Sequence, residues 1–221
     1  MSFSLDNRLA LCADFVRHGA RLADIGTDHA YLPVYLCKKG VCPHAIAADI
    51  NAEPLKSGEQ TVCEAGLKNV IETRLSNGLE KIREDEVDDI VIAGMGGELI
   101  AAILENCSFA QNPEKHFILQ PMTKSEELVK YLCKNGFEII KRDCCIAHKK
   151  CYTVLLVRFN GENPEVDETF YYAGKLYPRT NEIHRRFIKE HIARLDKRAK
   201  GDVHFGMLAE RLRRIVDDGN K

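Results

Sequence analysis

Long apolar runs are missing from this chain. No window of its 221 residues approaches the ~18 uninterrupted apolar residues of a transmembrane helix. A secretory leader is missing too. The opening MSFSLDNRLALCADFV carries Asp6, Arg8 and Asp14 among its apolar positions. It lacks the basic start, continuous apolar stretch and cleavage site of a signal peptide, so a cytoplasmic location is expected. Paired cysteine motifs are absent: the nine cysteines are odd in number and include no C-x-x-C. That argues against a disulfide framework and a zinc knuckle. The cluster Cys144, Cys145, His148 and Cys151 has irregular spacing and reads as buried thiols, so no metal is expected. Repeats and low-complexity stretches are also lacking. With 45% hydrophobic and 29% charged residues, the chain reads as a soluble globular domain of ordinary size plus a small appendage.

Overall charge is nearly balanced at −1, but it is unevenly spread. Residues 175–214 hold twelve Lys/Arg against five Asp/Glu, a local excess of +7. Such asymmetry suggests an anionic partner for the basic part, or else a solvated basic helix face.

The richest stretch is RLADIGTDHAYLP (21–33). A short apolar strand pattern ends in Asp24, a turn contains Gly26, the pair Asp28–His29 follows, and apolar residues resume at helical spacing. Strand–turn–helix units of this kind hold nucleotide-like ligands at the carboxyl edge of a parallel sheet. HAIAADIN (44–51) is a second buried strand ending in Asp49, 25 positions after Asp24. An acid near that spacing typically takes the ribose hydroxyls of an adenosine cofactor. The dinucleotide fingerprint is incomplete, however. Asp28 stands where its second glycine would be, and no third glycine occurs before Gly40. A carboxylate there would repel a pyrophosphate, whereas the sulfonium and ammonium groups of S-adenosylmethionine are cationic and favour acidic neighbours. Asp28 also suits an N-cap for a helix starting near His29.

Strand patterns at 21–24, 45–49, 71–75, 89–93, 117–120, 137–145 and 152–159 alternate with helical stretches near 32–39, 54–65, 96–106 and 124–134. This predicts an α/β, Rossmann-like, doubly wound sheet of seven strands. Only a short polar stretch separates the last two strands, so the last is expected to run antiparallel. That is the methyltransferase version of the fold. NGENP (160–164) reads as the end of a first domain, residues 1–160. Residues 161–221 would form a second: after FYYAGKLYP, helices at 181–199 and 203–216 fold into a hairpin at Lys200–Gly201–Asp202.

DIGTDHAYLP (24–33), ADIN (48–51), IAGMGG (92–97) and ILQPM (118–122), in this order, resemble the bacterial tRNA (adenine(22)-N1)-methyltransferases. The resemblance spans residues 2–159 in motif content and the rest only in architecture. It implies a Rossmann-like catalytic domain with a C-terminal helical hairpin, and methyl transfer from S-adenosylmethionine to N1 of an adenine in the tRNA D-arm region. It places Asp24, Gly26, Asp28 and His29 in the first cofactor loop, Asp49 on the ribose, and Ile50 and Asn51 beside the adenosine. Asn77 and Gly78 fall where many such enzymes carry an acid for the adenine amino group; an amide oxygen can still accept there. Gly94 and Met95 fall beside the reactive methyl.

The motif Asn/Asp-Pro-Pro-aromatic is absent after the fourth strand, which argues against methylation of an exocyclic amine. N1 of adenine has an in-plane lone pair, so its attack needs positioning more than activation. Asp28 and His29 are the candidates for steadying the cationic product ring or taking a proton; capping and loop packing are the alternatives. Arg8 is the third catalytic candidate, as a clamp on phosphate or base, or else a partner of Asp6. Gln120 would read an adenine edge or satisfy backbone before Pro121. Gly94, Gly96 and Gly97 would serve either a tight turn or close substrate approach.

A cytoplasmic tRNA adenine N1-methyltransferase is the preferred reading, with the basic hairpin on tRNA phosphates. A methyltransferase of small molecules or proteins, and a non-catalytic RNA-binding module on the same fold, are the rivals. The oligomeric state stays open with a monomer favoured, since the hairpin would also suit dimerisation.

Overall fold

The computed structural model describes residues 5–217; the outer limits of both expected domains, Met1 and Lys221, lie outside the described residues. Seven strands form one sheet: β1 (Leu22–Ile25), β2 (Ala45–Asp49), β3 (Ile71–Leu75), β4 (Asp89–Gly96), β5 (His116–Thr123), β6 (Phe137–Ala147) and β7 (Lys150–Phe159). Their order is β3-β2-β1-β4-β5-β7-β6. β1 to β5 run parallel, and β7 is inserted antiparallel between β5 and β6. The Rossmann-like methyltransferase fold read from the sequence is therefore the fold observed. The order reverses between β1 and β4, and open α/β sheets bind ligands at the strand carboxyl ends beside such a switch.

β1 and β2 are buried along their whole length, as expected for strands covered on both faces. Alternate residues feed two cores: Ala23, Ile25, Ile90 and Ile92 join one face, while Leu22, Ala45 and Val91 join the other. The helices α1 (Asn7–Ala13), α2 (Tyr31–Lys38), α3 (Ala52–Glu64), α4 (Gly97–Glu105) and α5 (Ser125–Lys134) cover the two faces. β4 and β5 both run past their expected ends. β5 continues through Pro121, and a bulge in β4 between Ala93 and Met95 shifts the register to Met95↔Pro121.

α6 (Thr169–Ala173), α7 (Glu182–Arg198) and α8 (Val203–Asp217) follow the sheet. Asn181 caps α7, accepting hydrogen bonds from Ile183 N and His184 N at 2.9 and 3.1 Å. The α7–α8 hairpin is not a free arm. Phe187, Ile188, Leu208 and Leu212 share one buried cluster with Cys144 of β6 and Cys151 of β7. His184 meets Asp143 Oδ1 at 2.8 Å, and the buried Arg142 lies over the Phe187 ring.

Cys144 and Cys145 point into different clusters. Among the described residues, no group of three or more His, Cys, Asp or Glu stands together as a metal site, and no helix is long and apolar enough to cross a membrane.

Candidate active site

The carboxyl ends of β1, β2, β3 and β4, with α1 alongside, enclose a cavity of about 660 Å³. Arg8, Asp24, Gly26, Asp28, His29, Asp49, Ile50, Asn51, Asn77, Gly78, Gly94 and Met95 all line it. Residues more than 80 positions apart in the chain thus share one site. Another cleft of about 580 Å³, lined by Tyr131, Phe137 and Phe159, lies elsewhere and contains none of them.

Asp24 is the penultimate residue of β1 and is buried. Thr27 Oγ1 donates to its Oδ2 at 2.7 Å. Burial pushes the Asp24 carboxyl up to about 6; the Thr27 hydrogen bond opposes this, and the nearby charge of Asp49 adds to it. Asp49 ends β2, also buried, and one of its oxygens accepts from Asn51 N–H at 2.8 Å. Beside it Ile50 is 60% exposed, an apolar side chain presented at the cavity wall rather than to the core.

Gly26 turns the chain at φ +75, and a Cβ there would collide with the Met95 methyl. The first loop is thereby seated against the β4 bulge. Asp28 and Ala30 follow with φ of 50 and 55, a left-handed conformation that non-glycine residues seldom adopt. α2 starts at Tyr31, after Ala30, and no side chain caps it. The capping role considered for Asp28 and His29 is therefore not found. Instead Asp28 sits 3.6 Å from His29 Nε2, with both side chains substantially exposed, and the His29 ring stacks on Tyr31 with centroids 5.2 Å apart.

Asp6 N-caps α1, accepting from Arg8 N and Leu9 N at 2.9 Å each. The Arg8 guanidinium turns back onto Asp6 Oδ2, donates from Nη1 to Gln120 Oε1 at 3.1 Å, and lies over the Tyr152 ring. The partnership with Asp6 is thus the arrangement found. Against partial burial, hydrogen bonds from Leu9 and Arg8 hold Asp6 below the usual carboxylate range. Gln120 is fully buried and does not line the cavity. Its Nε2 donates to Pro121 O at 2.9 Å, so the adenine-edge role is replaced by the backbone one. A Cβ on Gly97 would collide with the Lys124 carbonyl, so this glycine serves the close approach of α4 to the start of α5. Asn77 donates to Glu80 Oε1 at 2.7 Å, which leaves its carbonyl oxygen as the available acceptor.

Sequence reasoning assigned no site role to Asp6, Leu9, Thr27, Tyr31, Leu99, Ile103 and Met122, which also line the cavity. Leu99 (53% exposed) and Met122 (37%) carry a usable signal: large apolar side chains outside the core at strand and helix ends facing the switch point.

The donor set suits S-adenosylmethionine. Four carboxylates, Asp6, Asp24, Asp28 and Asp49, line the cavity. They complement a sulfonium and an ammonium group and oppose a pyrophosphate. Two acids stand at or next to the carboxyl ends of adjacent strands, and Ile50 offers apolar surface for a purine.

The comparisons with known proteins agree. A methyltransferase-domain family model matches residues 5–155. The tRNA (adenine(22)-N(1))-methyltransferase of Bacillus subtilis is 37% identical over 172 residues, 78% of this chain and 72% of that protein. A solved structure of a Streptococcus pneumoniae putative tRNA (m1A22) methyltransferase in complex with S-adenosyl-L-methionine superposes with a TM-score of 0.86 at 30% identity, covering 96% of this chain and 100% of that one. The M. capricolum TrmK complex with S-adenosyl-homocysteine gives 0.79 at 26%, covering 96% of each chain. On its motifs, its sheet order, its cavity and these likenesses, the chain belongs to the tRNA (adenine(22)-N1)-methyltransferase family.

Proposed function

We propose that this protein transfers a methyl group from S-adenosylmethionine to N1 of adenine 22 in the D-arm of tRNA, acting as a cytoplasmic monomer. The observation that carries this reading is the convergence of all twelve candidate residues on one acid-lined cavity at the topological switch point. The bound cofactor supplies an electrophilic methyl on a sulfonium leaving group. Asp49 would hold the ribose, with Ile50 and Asn51 against the purine. Asn77 would offer its carbonyl oxygen to the adenine amino group, with Gly78 completing that wall. Asp24 and the Gly26 turn would hold the cationic amino-acid end, and Gly94 and Met95 would bound the methyl.

Adenine N1 attacks through its own lone pair, so the protein's main contribution is a near-attack geometry of about 3–3.5 Å. The ring becomes cationic as the methyl arrives. Asp28, with His29, is the carboxylate offered to that charge. Arg8, held by Asp6 and Gln120, forms the facing wall. Residues 161–221 act as a second unit whose basic residues contact tRNA phosphates; contacts of that kind give affinity and register rather than sequence choice.

The reading is tested by incubating the protein with tRNA and methyl-labelled cofactor, then identifying the labelled nucleoside by mass spectrometry. Label in 1-methyladenosine, lost when adenine 22 is replaced by guanine, is the expected result. Label in another nucleoside, or no transfer, overturns it. In single turnovers, Asp28→Asn should slow transfer at saturating substrates more than Arg8→Ala does.

A further inference from the structure

Gln120 is the one polar residue in the strand core of β5, between Leu119 and Pro121, and it is completely buried. A buried carboxamide needs partners for both ends. Those found are specific. Its Oε1 accepts from Gly94 N–H and from Arg8 Nη1, each at 3.1 Å, and its Nε2 donates to Pro121 O.

The Gly94 bond has a structural cause. The bulge in β4 leaves Gly94 without a residue opposite it in β5, since the register passes from Ala93↔Gln120 to Met95↔Pro121. A bulged residue loses its ladder hydrogen bond, and Gly94, exposed at the cavity wall, has no strand partner for its N–H. The Gln120 side chain fills that gap. Gly94 itself adopts φ +80, which lets the chain turn and carry Met95 over Gly26. One amide therefore ties three walls of the cavity together: the β4 bulge directly, the first cofactor loop through Met95, and α1 through Arg8.

We propose that Gln120 is a positioning residue for methyl transfer, one that never touches cofactor or RNA but fixes the Gly94–Met95 bulge and the Arg8 guanidinium at the distance the reacting atoms require. The proposal rests on the methyltransferase reading of the cavity. It explains why the buried apolar run Phe117, Ile118 and Leu119 of β5 is followed by an amide at this point.

The test compares Gln120→Leu with Gln120→Glu. The leucine removes acceptance from both Gly94 and Arg8, while the glutamate keeps an oxygen for each. A displacement of about 1 Å at a reacting centre costs on the order of 100-fold in rate. Gln120→Leu should therefore lower the single-turnover rate by about 10- to 100-fold, with the Kd for S-adenosylmethionine changed less than about threefold. Gln120→Glu should recover most of the rate. Amide hydrogen exchange at Gly94 and Met95, measured on the whole protein without substrates, should quicken in Gln120→Leu and stay slow in Gln120→Glu. Parallel loss of rate, cofactor affinity and melting temperature in both variants would overturn the proposal, because Gln120 would then be only a packing residue. An unchanged rate in Gln120→Leu would overturn it as well. The exchange measurement stands apart from activity: if wild-type protein methylates no tRNA, the functional reading fails while the Gln120–Gly94 linkage is still read.

Discussion

Replacing Asp24 by asparagine should stabilise the ligand-free protein at neutral pH while weakening cofactor binding. The Asp24 carboxyl is enclosed near the end of β1, and desolvation, with the nearby Asp49 charge and against the Thr27 hydroxyl, pushes it from 3.8 up to about 6. At 1.36 kcal/mol per unit, holding it ionised inside the fold costs about 3 kcal/mol. The sign follows from the raised folded-state value. Below pH 3.8 the carboxyl is neutral folded and unfolded, and the fold keeps the full benefit. As pH rises through about 6, wild type loses up to those 3 kcal/mol and Asp24→Asn does not. The amide oxygen still accepts from Thr27, so that bond survives.

For a domain of this size, about 2–4 °C accompanies each kcal/mol, so the gain at pH 8 is at most about 6–12 °C and vanishes near pH 4. Thermal melts at both pH values, without ligand, make the measurement, and calorimetric titration follows the cofactor. An equal or lower melting temperature for Asp24→Asn at pH 8, with the same pH dependence as wild type, would mean that the Asp24 charge does not destabilise the ligand-free fold. The same charge that strains the empty fold is the one a cationic ligand compensates, a stability–function conflict typical of binding sites.

Three further outcomes are expected. Asp49→Ala should weaken S-adenosylmethionine by roughly 1.5–3 kcal/mol, the range of a charge-assisted hydrogen bond; calorimetry that finds unchanged affinity in a folded variant would reassign the ribose acid. Gly26→Ala should lose cofactor binding, since its Cβ meets Met95 and φ is +75; Met95→Ala in the same protein should relieve the collision but not the backbone strain, so binding returns only in part. Reversing Lys189, Arg194 and Lys197, all exposed on α7, should weaken tRNA binding and lower the slope of log affinity against log salt by about one per residue, leaving cofactor titrations unchanged.

Much of the cofactor side of the site was legible because it is written along single strands. Asp24 and Asp49 end apolar runs, and parallel pairing of β1 with β2 brings those ends together whatever the helices do. The side facing α1 was not legible in that way. The contacts of Arg8 with Gln120 and of Gln120 with Gly94 depend on how β4 and β5 register across a bulge, and nothing local in IAGMGG announces a register shift. Pro121 pointed to the end of a strand, yet β5 continues through it because the bulged partner changes the pairing there. Capping by Asp28 was expected from residue type alone. It fails because two left-handed residues flanking His29, Asp28 and Ala30, carry the chain away before α2 begins.

The hairpin shows the same limit and alters how its role can be tested. The apolar positions Ile183, Phe187, Ile188, Ile192 and Leu195 mark a helix, but the stripe does not say what covers it. Phe187 and Ile188 in fact share a core with Cys144 and Cys151 of the outer strands as well as with α8. His184 and Asp143 add a polar tie to β6. Cutting the chain after Phe159 would strip cover from Cys144, Cys151 and the buried Arg142, exposing an apolar patch and removing the Tyr171 and Gly174 carbonyls that accept from the Arg142 guanidinium. Loss of tRNA binding in such a fragment would report damage to the sheet edge as readily as loss of an RNA arm. Reversal of exposed charges on α7 leaves that buried cluster untouched. It is therefore the perturbation that isolates the electrostatic contribution of the hairpin, and because the hairpin is anchored to β6 and β7, its basic residues keep a fixed relation to the catalytic sheet.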